Sequence, residues 1–234
     1  MREAFRALSS LLVVSSSFLL GCSDLPGDGT SDPAAIKGGD HGDFVITSPA
    51  FVNGGAIPDE NTCNGKPFGS GTSPALEWAN APEHTKSFAI VFKDISLTEA
   101  TPQDPRGFHN VVWDIQKDTN SLPAALPSTE FLDEPRDARQ WSRYSPYGYL
   151  GPCPNFNPAL PPRVDTYSFT LYALDTKILD YPPPNPAIPN YTKVMDDFLV
   201  TVAIARTELL VTSGAIPSAG PVPPGPPPAP SPRP

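Results

Sequence analysis

The chain has 234 residues, with 16 Lys and Arg against 25 Asp and Glu and a formal net charge of −9 at neutral pH. It contains no polybasic run, which argues against nucleic-acid binding and against electrostatic adhesion to anionic lipid, so any anion it holds must be held by local geometry. Its 33 prolines are far above the usual share of about 5%, but they crowd toward one end and leave a stretch sized for a single domain.

In chain order, Arg2 and Arg6 flank the start of an apolar run from Ala7 to Leu20. That run fits the core of a secretory signal and is too short to span a bilayer comfortably. It ends in Leu19-Leu20-Gly21-Cys22, which resembles a bacterial lipobox, where cleavage follows diacylation of the cysteine. Residues 1–21 are therefore expected to be a lipoprotein signal peptide, with Cys22 carrying a palmitate-type anchor in the envelope of a bacterial cell. The alternative is a plain signal peptide followed by a chance cysteine. Residues 22–42 are rich in Gly, Asp and Ser and read as a flexible tether. Losing residues 1–21 removes a net +1 and leaves the mature chain near about −10.

Residues 43–213 carry the strand signals. Ser87–Lys93 and Phe108–Ile115 are short, rich in β-branched and aromatic residues, and bounded by polar or Pro-containing turns. Thr166–Leu174 begins by alternating and ends apolar on both faces, like a strand entering a buried centre. Shorter candidates lie at Phe44–Thr47 and Ala75–Trp78. From Tyr191 to Leu210 the signals conflict, since Val194, Phe198 and Val202 keep helical spacing while Leu199–Ile204 reads as strand; a helix followed by a last strand near Thr207–Val211 is expected. The fold class is mainly β, a sandwich with one or two short helices. Beyond it, residues 214–234 are a Pro-rich tail, with ten prolines among the eighteen residues from Pro217 to Pro234. Such a composition cannot form a core and is expected to be extended or disordered.

The loop Gly148–Phe156, GYLGPCPNF, holds Cys153 between two prolines of fixed φ. If Cys22 is lipidated, Cys63 and Cys153 remain as a pair, and an even count in an oxidising compartment favours a disulfide. A zinc site would need three or four ligands, and the mature chain offers only His41, His84 and His109 besides, with no Cys-x-x-Cys and no His-Glu-x-x-His. A cysteine nucleophile partnered by His109 is the third reading, disfavoured because exported cysteines tend to oxidise each other.

Several motifs taken together resemble the phosphatidylethanolamine-binding protein family, in its bacterial branch of Raf kinase inhibitor-like proteins. They are Ser48-Pro49-Ala50-Phe51 with Ile57-Pro58, Asn61 ahead of Thr62-Cys63-Asn64-Gly65, Ser73-Pro74-Ala75-Leu76-Glu77-Trp78, and Pro82 with Thr85-Lys86-Ser87. Gly107-Phe108-His109, Gly151-Pro152-Cys153-Pro154 and Leu171-Tyr172-Ala173-Leu174-Asp175 follow in order. The resemblance implies a β-sandwich with a small pocket at one end for phosphate or phosphorylated head groups. Carried over by position, Asp94 matches the first acid of the family's Asp-Pro-Asp loop, His109 its strand-borne histidine, Gly151 and Pro152 its Gly-x-Pro wall, and Tyr167 the aromatic of its His-Arg-Tyr stretch. The rigid loop then forms one wall, with Cys153 tying it to the Cys63 loop. The chain departs from the family where Asp94-Ile95-Ser96 replaces Asp-Pro-Asp, where Asn64 follows Cys63 in place of an acid, and where Asp165-Thr166 replaces His-Arg. Extra residues lengthen two loops, around Phe68–Thr72 and Pro158–Arg163.

The chemistry is plausible on the residues alone. A protonated imidazole offers two donors and a charge, so His109 beside Asp94 can be kept cationic and grip an anion, with Tyr167 donating through its hydroxyl and backbone N–H groups near Gly151 completing a cradle. The bland reading makes His109 a satisfied structural histidine and Tyr167 a core aromatic. At the level of function, the expectation is an envelope-anchored binding protein for a small anionic or phosphorylated ligand, regulatory or inhibitory in role, with no cofactor, no metal and no nucleic acid. Two alternatives are an interaction protein, inhibiting an envelope protease or kinase through its loops, and a hydrolase using Asp94 and His109 as an acid–base pair. No Gly-x-Ser-x-Gly elbow supports the hydrolase.

Overall fold

A computed structural model of the chain describes residues 43–102, 104–142, 147–177, 179 and 190–215. The expected signal segment, Cys22 and the tether lie outside these residues, as does the Pro-rich tail from residue 216. Among the described residues the strands are β1 (Val45–Thr47), β2 (Gly55–Ala56), β3 (Leu76–Ala79), β4 (Ser87–Asp94), β5 (Phe108–Gln116), β6 (Ser121–Leu122), β7 (Arg139–Ser142), β8 (Asp165–Leu174) and β9 (Ala205–Ser213). The helices are α1 (Ile95–Ala100) and α2 (Tyr191–Val202), with single 3-10 turns at Asp59–Asn61 and Pro105–Gly107.

The alternation along β4 sets the layers. Phe88, Ile90 and Phe92 turn to one face, where they pack with Ile46, Leu76 and Trp78. These last three come from the small sheet, ordered β1-β3-β6 and antiparallel throughout. Ala89 and Val91 turn to the other face, where they meet Val111, Trp113, Tyr172 and Leu174 beneath α2. The large sheet runs β2-β9-β8-β4-β5-β7, antiparallel except for the parallel β2–β9 pair. Its centre is therefore covered on both faces, which is why β8 is apolar on both sides in its second half. Truncating one of the buried Phe residues to Ala would cost about 3–5 kcal/mol.

In β5 the apolar residues do not alternate, because Val112 and Ile115 both face the first core. The pairing resolves this: Phe88 sits opposite Ile115 and Ile90 opposite Val112, so two steps on β4 span three on β5. The extra residue is accommodated as a bulge, with Asp114 at φ 58°, a conformation its short polar side chain tolerates. The Asp114 carboxylate accepts from the Leu179 N–H at 2.8 Å.

The helix expected after Tyr191 is present. Tyr191, Met195 and Leu199 form its buried stripe at spacings of four, and the last strand follows it, longer at both ends than expected. Asp196 on the same helix accepts from Lys93 at 3.0 Å and from the Tyr172 hydroxyl at 2.6 Å, which fixes the rotation of α2 on the sheet. The strands β2, β6 and β7 and the helix α1 have no counterpart in the sequence reading.

A candidate ligand site at one end of the central sheet

Where β4 ends, Asp94 faces Tyr167 across the ladder to β8. Asp94 also caps α1, its carboxylate accepting from the Leu97 N–H at 2.9 Å. The Tyr167 hydroxyl lies near enough for the two groups to influence each other's titration. Burial is the largest influence on this carboxyl and pushes it up to about 6, aided by the charge of Asp165 and opposed by the Leu97 N–H, Arg163 and Tyr167. Tyr167 is 1% exposed. Burial, together with the charges of Asp94 and Asp165, raises its hydroxyl far above the ordinary phenol range.

His109, in the second position of β5, stands edge-on to the Tyr167 ring with centroids 5.5 Å apart. Beneath both lies Phe92, whose ring is 4.3 Å from Phe169, 5.2 Å from His109, 5.3 Å from Tyr149 and 5.7 Å from Tyr167. This aromatic floor was not singled out in the sequence, since Phe92 reads there as one more core residue of a strand. His109 Nδ1 lies 3.0 Å from the Leu150 carbonyl oxygen, and that contact brings in the next two residues of the chain, Gly151 and Pro152.

The wall is built as the cysteine argument expected. Cys63 and Cys153 are disulfide-bonded with Cα atoms 5.6 Å apart, which removes both sulfurs from the nucleophile and zinc-ligand readings. Around the bond the two loops are laced together: the Cys63 N–H donates to the Pro152 carbonyl at 3.2 Å, and the Tyr149 hydroxyl donates to the Asn61 carbonyl at 3.0 Å. Gly151 is required by close approach, because a Cβ there would collide with the Ser70 carbonyl oxygen and stand 2.9 Å from that of Asn61.

One detail of the expected cradle is corrected. The Gly151 N–H donates to the Ser70 carbonyl at 3.2 Å, so it is committed to holding the loop and is not an exposed donor. The five residues carried over by position thus form one connected arrangement, Asp94 to Tyr167 to His109 to the Leu150-Gly151-Pro152 segment, but only some of them have donors to offer. The residue that sequence reasoning missed is Arg163. Its Nε donates to Asp165 Oδ2 at 2.8 Å, so the acid that stands in place of the family's histidine carries its own cation. The signal was present as Arg-x-Asp, since residues two apart in an extended segment share a face.

This fold and this end-of-sheet arrangement define the class: the chain belongs to the phosphatidylethanolamine-binding protein family, whose sequence profile matches residues 47–211. Among curated proteins it is similar to a UPF0098 protein of Archaeoglobus fulgidus, 34% identical over 134 residues, a match covering 56% of this chain and 40% of that protein. A UPF0098 protein of Methanothermobacter thermautotrophicus is 33% identical over 140 residues, covering 59% of this chain and 80% of the relative. Among solved structures, Escherichia coli YbcL, described as a new member of the mammalian PEBP family, superposes with a TM-score of 0.52 at 22% identity, over 72% of this chain and 96% of that one.

Proposed function

We propose that this protein is an envelope-anchored binding protein that takes a phosphate-bearing group at the His109–Tyr167 end of its large sheet. The observation that carries the reading is the grouping of His109, Tyr167 and Asp94 over the Phe92 floor, walled by the disulfide-tied Gly151-Pro152 loop. An imidazole over an aromatic floor, with a buried carboxyl raised to about 6 in the same group, suits a small anion better than bond-breaking: among the described residues no activated nucleophile accompanies it. The anchor rests on the Leu19-Leu20-Gly21-Cys22 motif.

The carboxyl fixes the sign of the pH dependence. Asp94 ionises at about 6, so as pH rises through that value a negative charge develops beside the ligand and affinity for an anion falls. Calorimetric titration with inorganic phosphate and with phosphoethanolamine, for the wild type and His109→Ala across pH 5–8, tests the reading. The expected result is binding strongest at the acid end and about tenfold weaker in His109→Ala, the size of one lost charge-assisted hydrogen bond. Equal affinity in both proteins, or no binding in either, overturns it. The second reading is an interaction surface on the lengthened loop, where Leu160 and Val164 are 51% and 68% exposed; it takes over if the titration fails.

A further inference from the structure

Arg163 lies on the lengthened loop that leads into β8, and its surroundings hold it in place from two sides. The Arg163 N–H donates to Asn155 Oδ1 at 2.7 Å, and Asn155 Nδ2 donates back to the Arg163 carbonyl and to the Gly214 carbonyl, each at 2.9 Å. A primary amide has two N–H donors and one carbonyl oxygen, so both donors and the oxygen of Asn155 are spent on fixing this turn to the end of β9. Asn155 itself follows Cys153 by two residues, so its own position is set by the disulfide. On the side-chain end, Asp165, 7% exposed, accepts from Nε at 2.8 Å.

What this leaves outward is specific. Arg163 is 43% exposed, and no described residue bonds to either of its terminal amino groups. The guanidinium is thus held by one edge while its other edge presents a planar pair of donors, the half of the fork that matches two oxygens of a phosphate. The Asp165 that holds it precedes Tyr167 by two residues in β8, so the pair shares the strand face that carries Tyr167. An exposed Arg–Asp pair contributes little stability by itself; the Asn155 bonds fix the backbone from which the Arg163 side chain projects, and with Asp165 at Nε they preorganise the guanidinium.

We propose that Arg163 is an oxyanion ligand of this site, its two terminal amino groups donating to a phosphate or phosphomonoester, with Asp165 and Asn155 as the residues that position it. The inference rests on the phosphate-binding reading above. It is tested in the full chain by calorimetric titration with inorganic phosphate, comparing the wild type with Arg163→Gln, His109→Ala and, as a remote control, Arg206→Gln; thermal melts verify folding. The expected result is phosphate binding about tenfold weaker in Arg163→Gln and unchanged in Arg206→Gln. Wild-type affinity in Arg163→Gln, with His109→Ala still weakened, overturns the role of Arg163 alone; no phosphate binding by the wild type overturns the site and Arg163 with it. The positioning claim is read from a cycle: Asn155→Ala weakens phosphate binding in the wild type but not further in Arg163→Gln. Equal losses in both backgrounds assign Asn155 a structural role only and overturn that part.

Discussion

Asp94 shows how a single residue serves the fold and opposes it. Its carboxylate caps α1 through Leu97, yet burial holds its pKa near 6, above the ordinary 3.8. An unfolded chain therefore releases this proton at lower pH than the folded one. Stability is unaffected below about 3.8, declines between the two values, and above about 6 is lower by roughly 3 kcal/mol, at 1.36 kcal/mol per unit. Asn is an equally good cap and cannot ionise. Asp94→Asn is accordingly expected to be more stable than the wild type by about 1–3 kcal/mol at pH 8 and nearly equal to it at pH 4, as measured by urea denaturation at both; a variant that is less stable at pH 8 contradicts this account. The identities of Asp94, His109 and Tyr167 were legible because each is a distinctive side chain in a recognisable local pattern. What each one bonds to was not, since Leu150 and Leu97 offer only backbone groups and the sequence does not show where a carbonyl will point. Arg163 was missed for a related reason: a lone arginine in a Pro-rich loop looks solvated until the loop is closed around it.

Among the elements, legibility followed length and alternation. The cores of β4, β5 and β8 were readable because eight to ten residues of apolar signal survive two register shifts between β4 and β5. The two-residue strands β2 and β6 have no period at all; β2 exists only because β9 offers it an edge. α1 is six residues long, too short to declare itself by periodicity, and starts where Asp94 supplies the cap. The disulfide-tied loops were legible from cysteine count, and their energetics make the sharpest test at this scale. The bond closes 90 residues of chain, so its loss frees a large part of the unfolded ensemble. Replacing both Cys63 and Cys153 by Ala is expected to lower stability by about 2–5 kcal/mol, read as a shift of the urea midpoint. Phosphate affinity should fall along with it, because Gly151 and Asn155 lose their common tie. A double variant with unchanged midpoint would mean that the hydrogen bonds from Cys63 to Pro152 and from Tyr149 to Asn61 hold the wall unaided.

For the molecule as a whole, the anchor proposed at Cys22 has a direct test. If Cys22 carries the anchor, Cys22→Ala should move the protein from the membrane fraction to the soluble fraction on cell fractionation; retention in the membrane would require a second anchor. Within the domain, β4 and β8 are paired along both edges and covered on both faces. Their inner amides, those of Ile90–Phe92 and Phe169–Leu171, should exchange hydrogen for deuterium only when the entire domain opens, whereas those of Ala159 and Leu160 in the lengthened loop should exchange by local opening many orders of magnitude sooner. Comparable rates in the two segments would refute that ranking. Asp94 ends β4 and Tyr167 is the third residue of β8, while Arg163 is tied to Asn155 and Asp165 where the lengthened loop enters β8. A change of sequence in the lengthened loop can therefore alter what the proposed site takes while the paired strands beneath it keep their core.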